Sequence, residues 1–380
     1  MGPLAGIKVI ELAGIGPGPM CAMLLADMGA TVLRIDRQQP VEAGNPRPLK
    51  YNLLLRNRKA IALDLKQPRA VEFALRLVSR ADALIEGFRP GVTERLGLGP
   101  DVCLARNPKL VYGRMTGWGQ TGPLAKAVGH DLNYISLTGA LHSIGRNGQL
   151  PAPPLNLLGD YAGGSLYLAM GLLAGILEAR QSGKGQVVDA AIVDGTTSLM
   201  TSIYGLYGAG LMSLERGTNN SDSGSYFYDV YPCADGLLVS VAAIEGRFHA
   251  DLLRLMQIDP AEIGAQRDRA NWPKARAILA EKFKSRTRAE WCALLEGNAC
   301  FAPVLSMKDA PNHPHMRARG AFIEVDGVVQ PAPAPRFSRS IPQTPTPPQE
   351  ITRENTDAAL AKWAGPEEIA DLRKDGTLDR

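Results

Sequence analysis

Residues 7–36 constrain this chain more than any other stretch. IKVIEL (7–12) has the character of a buried strand and GIGPGP (14–19) breaks it. MCAMLLADMG (20–29) reads as a short apolar helix ending at Gly29, and ATVLRID (30–36) resumes as a strand. Strand, turn, helix and strand in so short a span make a βαβ unit. The alternation continues: AIALDL (60–65), DALIEGF (82–88) and KLVYGRM (109–115) read as strands, with a helix over about 68–80. A parallel sheet covered by helices is the expected result, an α/β domain.

Further along the pattern changes. Residues 160–181 are helical and very apolar, and Ser182-Gly183-Lys184-Gly185 is a turn. Helical character resumes to about 212, and 214–225 is rich in Gly, Ser and Asn. YFYDVYPC and LLVSVAAI predict an antiparallel pair around Ala234-Asp235-Gly236, followed by helices at 247–257, 273–284 and 287–296. Seven prolines in 331–348 keep that stretch extended, and two short helices, divided at Gly365-Pro366, end the chain. The expected plan is a large α/β domain (1–190), a linker (191–225), a small α+β domain (226–312), a return linker (313–334) and a last part (335–380) that rejoins the large domain.

Composition narrows the partners. With 42 basic and 38 acidic side chains the net charge is +4, too mild and evenly spread for nucleic acid. The densest basic spot, Arg56, Arg58 and Lys59, suits one phosphorylated small molecule. The longest apolar run, Leu166–Leu177, is twelve residues. That is short of the ~20 that span a bilayer and fits a core helix, so no membrane span is expected. Neither a signal-peptide core nor a myristoylation pattern opens the chain. Five cysteines without a CxxC pair give no disulfide framework or zinc site. A soluble, cytoplasmic protein is the expectation.

Five places bear chemistry. The turn after the first strand matches a dinucleotide fingerprint poorly, because Pro19 stands at the third glycine and Pro17 and Pro19 lack the N–H groups a pyrophosphate needs. Arg37 closes a parallel strand, the edge where open α/β sheets bind ligands; it fits a phosphate contact or a solvated surface charge. His130, in GHDLNY, follows a glycine and precedes a helix, which suits a neutral base or a structural histidine. Asp160, in NLLGDYAGG, sits before an intensely apolar helix and fits an N-cap or a proton carrier equally. Glu245, in AIEGRF, ends a strand of the small domain. His313 and His315 lack further ligands for a metal, and His142 and His249 stand in no distinguishing context.

Together these segments resemble the alpha-methylacyl-CoA racemases of the family III (CaiB/BaiF-type) CoA-transferase superfamily. VIELAGIGPGPMCAMLLADMGA, RIDR, LDLKQPR, RPGVTERLGLGP, GRMTGWGQTGP, SGKGQVVDAAIVDG and PAPRFSR carry the likeness, and GHDLNY with NLLGDYAGG is its most specific part. The resemblance implies a large Rossmann-like α/β domain with a small α+β domain. Two chains interlock as a homodimer, with each site composed from both. It implies His130 and Asp160 as catalytic residues, and Glu245 of the other subunit as the hydrogen-bond partner of His130. Arg37, Ile61, Ala62, Leu63 and Asp64, and Gly129, Asp131, Leu132, Asn133 and Tyr134, are implied as contacts to CoA and the acyl group. The implied reaction interconverts (R)- and (S)-2-methylacyl-CoA thioesters with no metal, nicotinamide or other cofactor, CoA being part of the substrate. The alternative within the superfamily moves CoA between carboxylic acids through a covalent intermediate on Asp160; the GGGG run that covers such an intermediate is missing here. The family's AIEPQFY is AIEGRFH here and its NMLDGGAP is NNSDSGSY, departures that bear on the acyl chain.

Overall fold

A computed structural model describes residues 2–39 and 46–378. Six strands, β1 (Lys8–Leu12), β2 (Thr31–Asp36), β3 (Lys59–Ala62), β4 (Ala83–Glu86), β5 (Val111–Thr116) and β6 (Gln186–Ala191), form one sheet in the order β3-β2-β1-β4-β5-β6. Every neighbouring pair is parallel. The α/β class expected from the alternation is therefore observed.

Both faces of the sheet are covered, which is why strands such as β4 are buried along their whole length. One face packs on the helix Pro17–Asp27 and on Tyr167–Ser182, through Cys21, Leu25, Val111, Leu168, Leu172 and Ile176. The other packs on Pro68–Val78 and on the C-terminal helices, through Phe73, Leu77, Tyr112, Leu360 and Trp363. Proline at the start of Pro17–Asp27 and of Pro68–Val78 places a residue without an N–H where the helix has no acceptor for one. Gly183 closes Tyr167–Ser182 in the left-handed region, φ 77°.

The chain divides into two compact units. The first comprises 1–138, 155–199 and 320–380, the second 139–154 and 200–319. The span expected as a linker carries two helices, Ile192–Leu199 and Thr201–Gly208; turns begin only where Gly, Ser and Asn accumulate, beyond 209. In the second unit β7 (Tyr228–Pro232), β8 (Leu238–Ala242) and β9 (Phe301–Pro303) make an antiparallel sheet. Helices at Gly246–Met256, Trp272–Phe283 and Arg288–Leu295 bury its aromatic core of Phe227, Tyr231, Trp272, Phe283 and Trp291. Residues 139–154 join this unit through Arg146, whose guanidinium bonds the buried Asp229 carboxylate at 2.8 Å; Arg276 pairs with the same carboxylate. In the first unit, β10 (Phe322–Val325) and β11 (Val328–Pro331) form a hairpin.

Residues 157–182 run as one helical stretch, mean hydropathy 1.4, long and apolar enough by composition to cross a membrane. Half of its most apolar window is buried inside the chain, against β5 and β6.

Candidate active site

Strand order reverses at β1, whose neighbours are β2 on one side and β4 on the other. A crevice opens at such a switch point, beyond the carboxyl ends of the strands. Here it is a cavity of about 390 Å³. Ile15, Gly16 and Pro17 after β1, Gly87 to Pro90 after β4, and Thr116 to Trp118 at the end of β5 supply its walls, together with His130, Tyr134 and Asp160.

His130 is exposed at the N-cap position of the helix Asp131–Ser136. Its backbone N–H donates to Asn133 Oδ1 at 3.1 Å, which fixes the point from which the imidazole leaves the chain. Tyr134 lies one turn on; its ring meets Trp118 edge-on at 4.8 Å and its hydroxyl donates to the Gly129 carbonyl. A Cβ at Gly117 would stand 2.0 Å from that ring, so the glycine gives the ring its place.

Asp160 is carried by a wide π-helical segment, Leu157–Leu166. Glycines allow it: Gly163 passes the helix Ile192–Leu199 so closely that a Cβ on Gly195 would stand 1.9 Å from the Gly163 carbonyl oxygen. Gly16, at φ 67°, lies against the Asp160 carboxylate, where a Cβ would be 3.2 Å from Oδ2. The carboxylate accepts from Asn156 Nδ2 at 3.3 Å. Its backbone N–H donates to Asp131 Oδ1 at 2.6 Å. That bond commits the Asp160 amide inward, so it is not a free donor toward the cavity. Burial, with Asp131 adding to it, pushes the Asp160 carboxyl up to about 6, against the opposing pull of Asn156 and His130.

This shift has a stability consequence. The folded carboxyl holds its proton up to about pH 6, whereas an unfolded aspartate releases it near about pH 4. The folded state therefore binds more protons in between, and stability rises as pH falls through that window. Asp160→Asn is expected to raise the melting temperature at about pH 8, the gain shrinking below about pH 6. Thermal melts of both proteins across pH check it; a variant less stable than wild type at about pH 8 would contradict it.

Other predicted residues fall in different places. Arg37 is exposed beyond β2, its guanidinium 5.9 Å from the centre of the Phe88 ring at the cavity wall. Ile61, Ala62 and Leu63 are buried in the core, leaving only their backbone for a ligand. Asp64 accepts from the Lys66 amide at 3.1 Å. Leu132 is exposed, whereas Asp131 is 5% exposed. Glu245 lies in the second unit, exposed at the start of Gly246–Met256, where its side chain forms no cap bond.

The basic cluster is not a phosphate site as a whole. Arg56 and Arg58 are buried: Arg56 bonds Asp27 at 2.5 Å and Gln330 at 2.9 Å, and Arg58 pairs with Glu11. Their carboxylate partners neutralise them inside the fold. His313 pairs with Glu296 at 2.9 Å. His249 is buried, its Nε2 2.7 Å from the Tyr226 hydroxyl. No cluster of three metal-ligating side chains occurs among the described residues, whose five cysteines are unpaired.

Sequence reasoning missed Arg89. It lines the cavity just beyond β4, and the strand-end rule that singled out Arg37 applies to it equally. Its loop is held from below. Glu86 Oε2 accepts from the Phe88 amide at 2.7 Å, and Arg114 bonds Glu86 and Glu94, each at 2.8 Å.

An open parallel sheet with an imidazole and a carboxyl on one cavity at its switch point defines an α/β fold equipped for proton transfer. The family model for CoA-transferase family III matches residues 4–352, and the chain belongs to that family. The chain is 41% identical to the alpha-methylacyl-CoA racemase of Mus musculus, over 99% of this chain and 97% of that one. It is 39% identical to the Homo sapiens protein of the same name, with the same coverage. Among solved structures, a CAIB/BAIF family protein from Brucella suis superposes with a TM-score of 0.80 at 26% identity, covering 96% of this chain and all of that one.

Proposed function

We propose that this protein is an alpha-methylacyl-CoA racemase, an isomerase that inverts the α-carbon of 2-methylacyl-CoA thioesters. The observation that carries the reading is His130 and Asp160 on the walls of one cavity, with the carboxyl pushed up to about 6. Two relatives at about 40% identity over nearly the whole chain, both named for this activity, support it.

Inversion removes a proton from one face of the α-carbon and returns one to the other. One group must act as base while the group opposite acts as acid. Thioester resonance already acidifies the α-proton, so the two side chains suffice without a further cofactor. In one direction His130 takes the proton and Asp160 gives one; in the other the roles exchange. Both directions need the same total protonation, one proton on the pair. A carboxyl pushed up to about 6 brings the proton exchange of Asp160 close to neutral pH, where the pair can pass a proton in either direction. The rate should therefore be bell-shaped in pH, with the same limbs for both enantiomers. Arg37, and Arg89 at the cavity wall, would engage CoA phosphates, a remote handle that positions the reacting carbon.

We also propose a homodimer with composite sites. Large apolar side chains stand exposed in each unit, Leu166, Met170 and Leu177 in the first, and Tyr204, Tyr207, Leu211 and Leu214 in the second. Such surface is what an obligate partner covers.

The deciding experiment incubates (R)- and (S)-2-methylacyl-CoA with the protein in deuterated water. Deuterium at the α-carbon together with loss of optical purity is expected from both enantiomers. A second arm adds a carboxylate acceptor and hydroxylamine. Exchange of CoA between acids, with hydroxamate mass on Asp160, would assign the protein to the transferase alternative.

A further inference from the structure

We propose that Asp131 is a positioning residue rather than a substrate contact: its carboxylate ties the helix that begins after His130 to the turn that carries Asp160. This rests on the racemase reading and deepens it.

The geometry argues against contact with a ligand. Asp131 is 5% exposed, and it is absent from the cavity wall that its neighbours Gly129, His130 and Tyr134 share. Its Oδ1 receives the Asp160 N–H at 2.6 Å. Gly159, the residue before Asp160, comes so near that a Cβ there would stand 2.5 Å from the same oxygen. A glycine at 159 is thus what this approach requires. A carboxylate is also the wrong group to hold the phosphates of a CoA ester. One residue therefore spans both proton carriers: its backbone follows His130, and its side chain holds the amide of Asp160.

The second consequence is electrostatic. The groups that face the Asp160 carboxyl are Asp131, His130, Tyr134 and the Asn156 amide, with Arg89 near Tyr134. Asp131 is the like charge among them, and it opposes ionisation of Asp160 while His130 favours it. Burial raises Asp131 itself, held back by the backbone amides of Asp160 and Gly159.

Two variants separate tether from charge. Asp131→Asn keeps a carbonyl oxygen for the Asp160 amide and removes the charge. Its acid limb should move to lower pH by about half a unit or more, with KM within about twofold of wild type. Asp131→Ala removes the acceptor. Its kcat should fall roughly 10–100-fold at nearly unchanged KM, because a small displacement of a proton carrier is costly. Deuterium uptake into amides 157–166, read by mass spectrometry, should be faster than in wild type.

A KM raised about tenfold at unchanged kcat in Asp131→Asn would make Asp131 a substrate contact and overturn the proposal. Wild-type pH profile and amide exchange in both variants would overturn it as well. If Asp131→Ala does not fold, the pH profile of Asp131→Asn decides. If the wild-type protein racemises nothing, the racemase reading fails. Amide exchange and a carbon-13 titration of the Asp160 carboxyl, located by its loss in Asp160→Asn, then still decide the role of Asp131.

Discussion

Asp160→Ala and His130→Ala are each expected to lower racemisation of a 2-methylacyl-CoA by roughly three orders of magnitude, since a positioned acid or base contributes about 10²–10⁴-fold. Binding of the thioester should persist, because neither side chain is the handle for CoA. The loss should also be asymmetric in a diagnostic way. A variant that keeps one base can still remove the proton from the face that base addresses and return deuterium to the same face. Residual exchange should therefore occur with one enantiomer only, with retention, and the two variants should retain opposite enantiomers. Chiral chromatography with mass spectrometry of the products reads both quantities. Near-wild-type racemisation in either variant would remove that residue from the mechanism. Exchange of both enantiomers in a single variant would reveal a third base.

The parts of this molecule legible in the sequence are those decided locally. Buried parallel strands need apolar side chains on both faces, so VIEL and ALIE stand out, and the helix from about 68 is found at Pro68–Val78; the first helix, read from Met20, begins at Pro17, because a proline that breaks a strand also suits a helix start. What escaped depends on residues far apart. Arg56 and Arg58 look like surface charge until the fold brings Asp27 and Glu11 to them, 29 and 47 positions away. β9 is three residues long and ends in proline, too short to carry a pattern. Residues 139–154 join the second unit through Arg146 and Asp229, 83 positions apart. The π-helical turn is the most consequential case. Residues 160–181 read as plain helix, with Gly159 just before it, yet Gly159, Gly163 and Gly164 each answer a tertiary neighbour: Asp131, Thr196 and Ile192. The motifs single out His130 and Asp160 as candidates, and both line one cavity, whereas the partners that tune Asp160 required the packing of one helix on another.

Refolding a mixture of two inactive variants should restore activity if the sites are composite. Glu245 and His130 belong to different compact units of the chain, and Glu245 is exposed with no cap bond to its own helix. The proposed homodimer pairs Glu245 of one subunit with His130 of the other. A mixed dimer of Glu245→Ala and His130→Ala then carries both lesions in one site and neither in the other. With random pairing of equal amounts, half the dimers are mixed and half of their sites intact, so about a quarter of wild-type activity should return. Were each site built from one chain, every site would keep one lesion and no activity would appear. The comparison requires Glu245→Ala to be strongly impaired alone, as expected if it orients the imidazole; its single-variant rate is measured first. Separating the refolded species by size gives the second readout. Activity confined to dimers supports composite sites, and a fully active monomer would end the idea, since a chain alone would then hold everything the reaction needs.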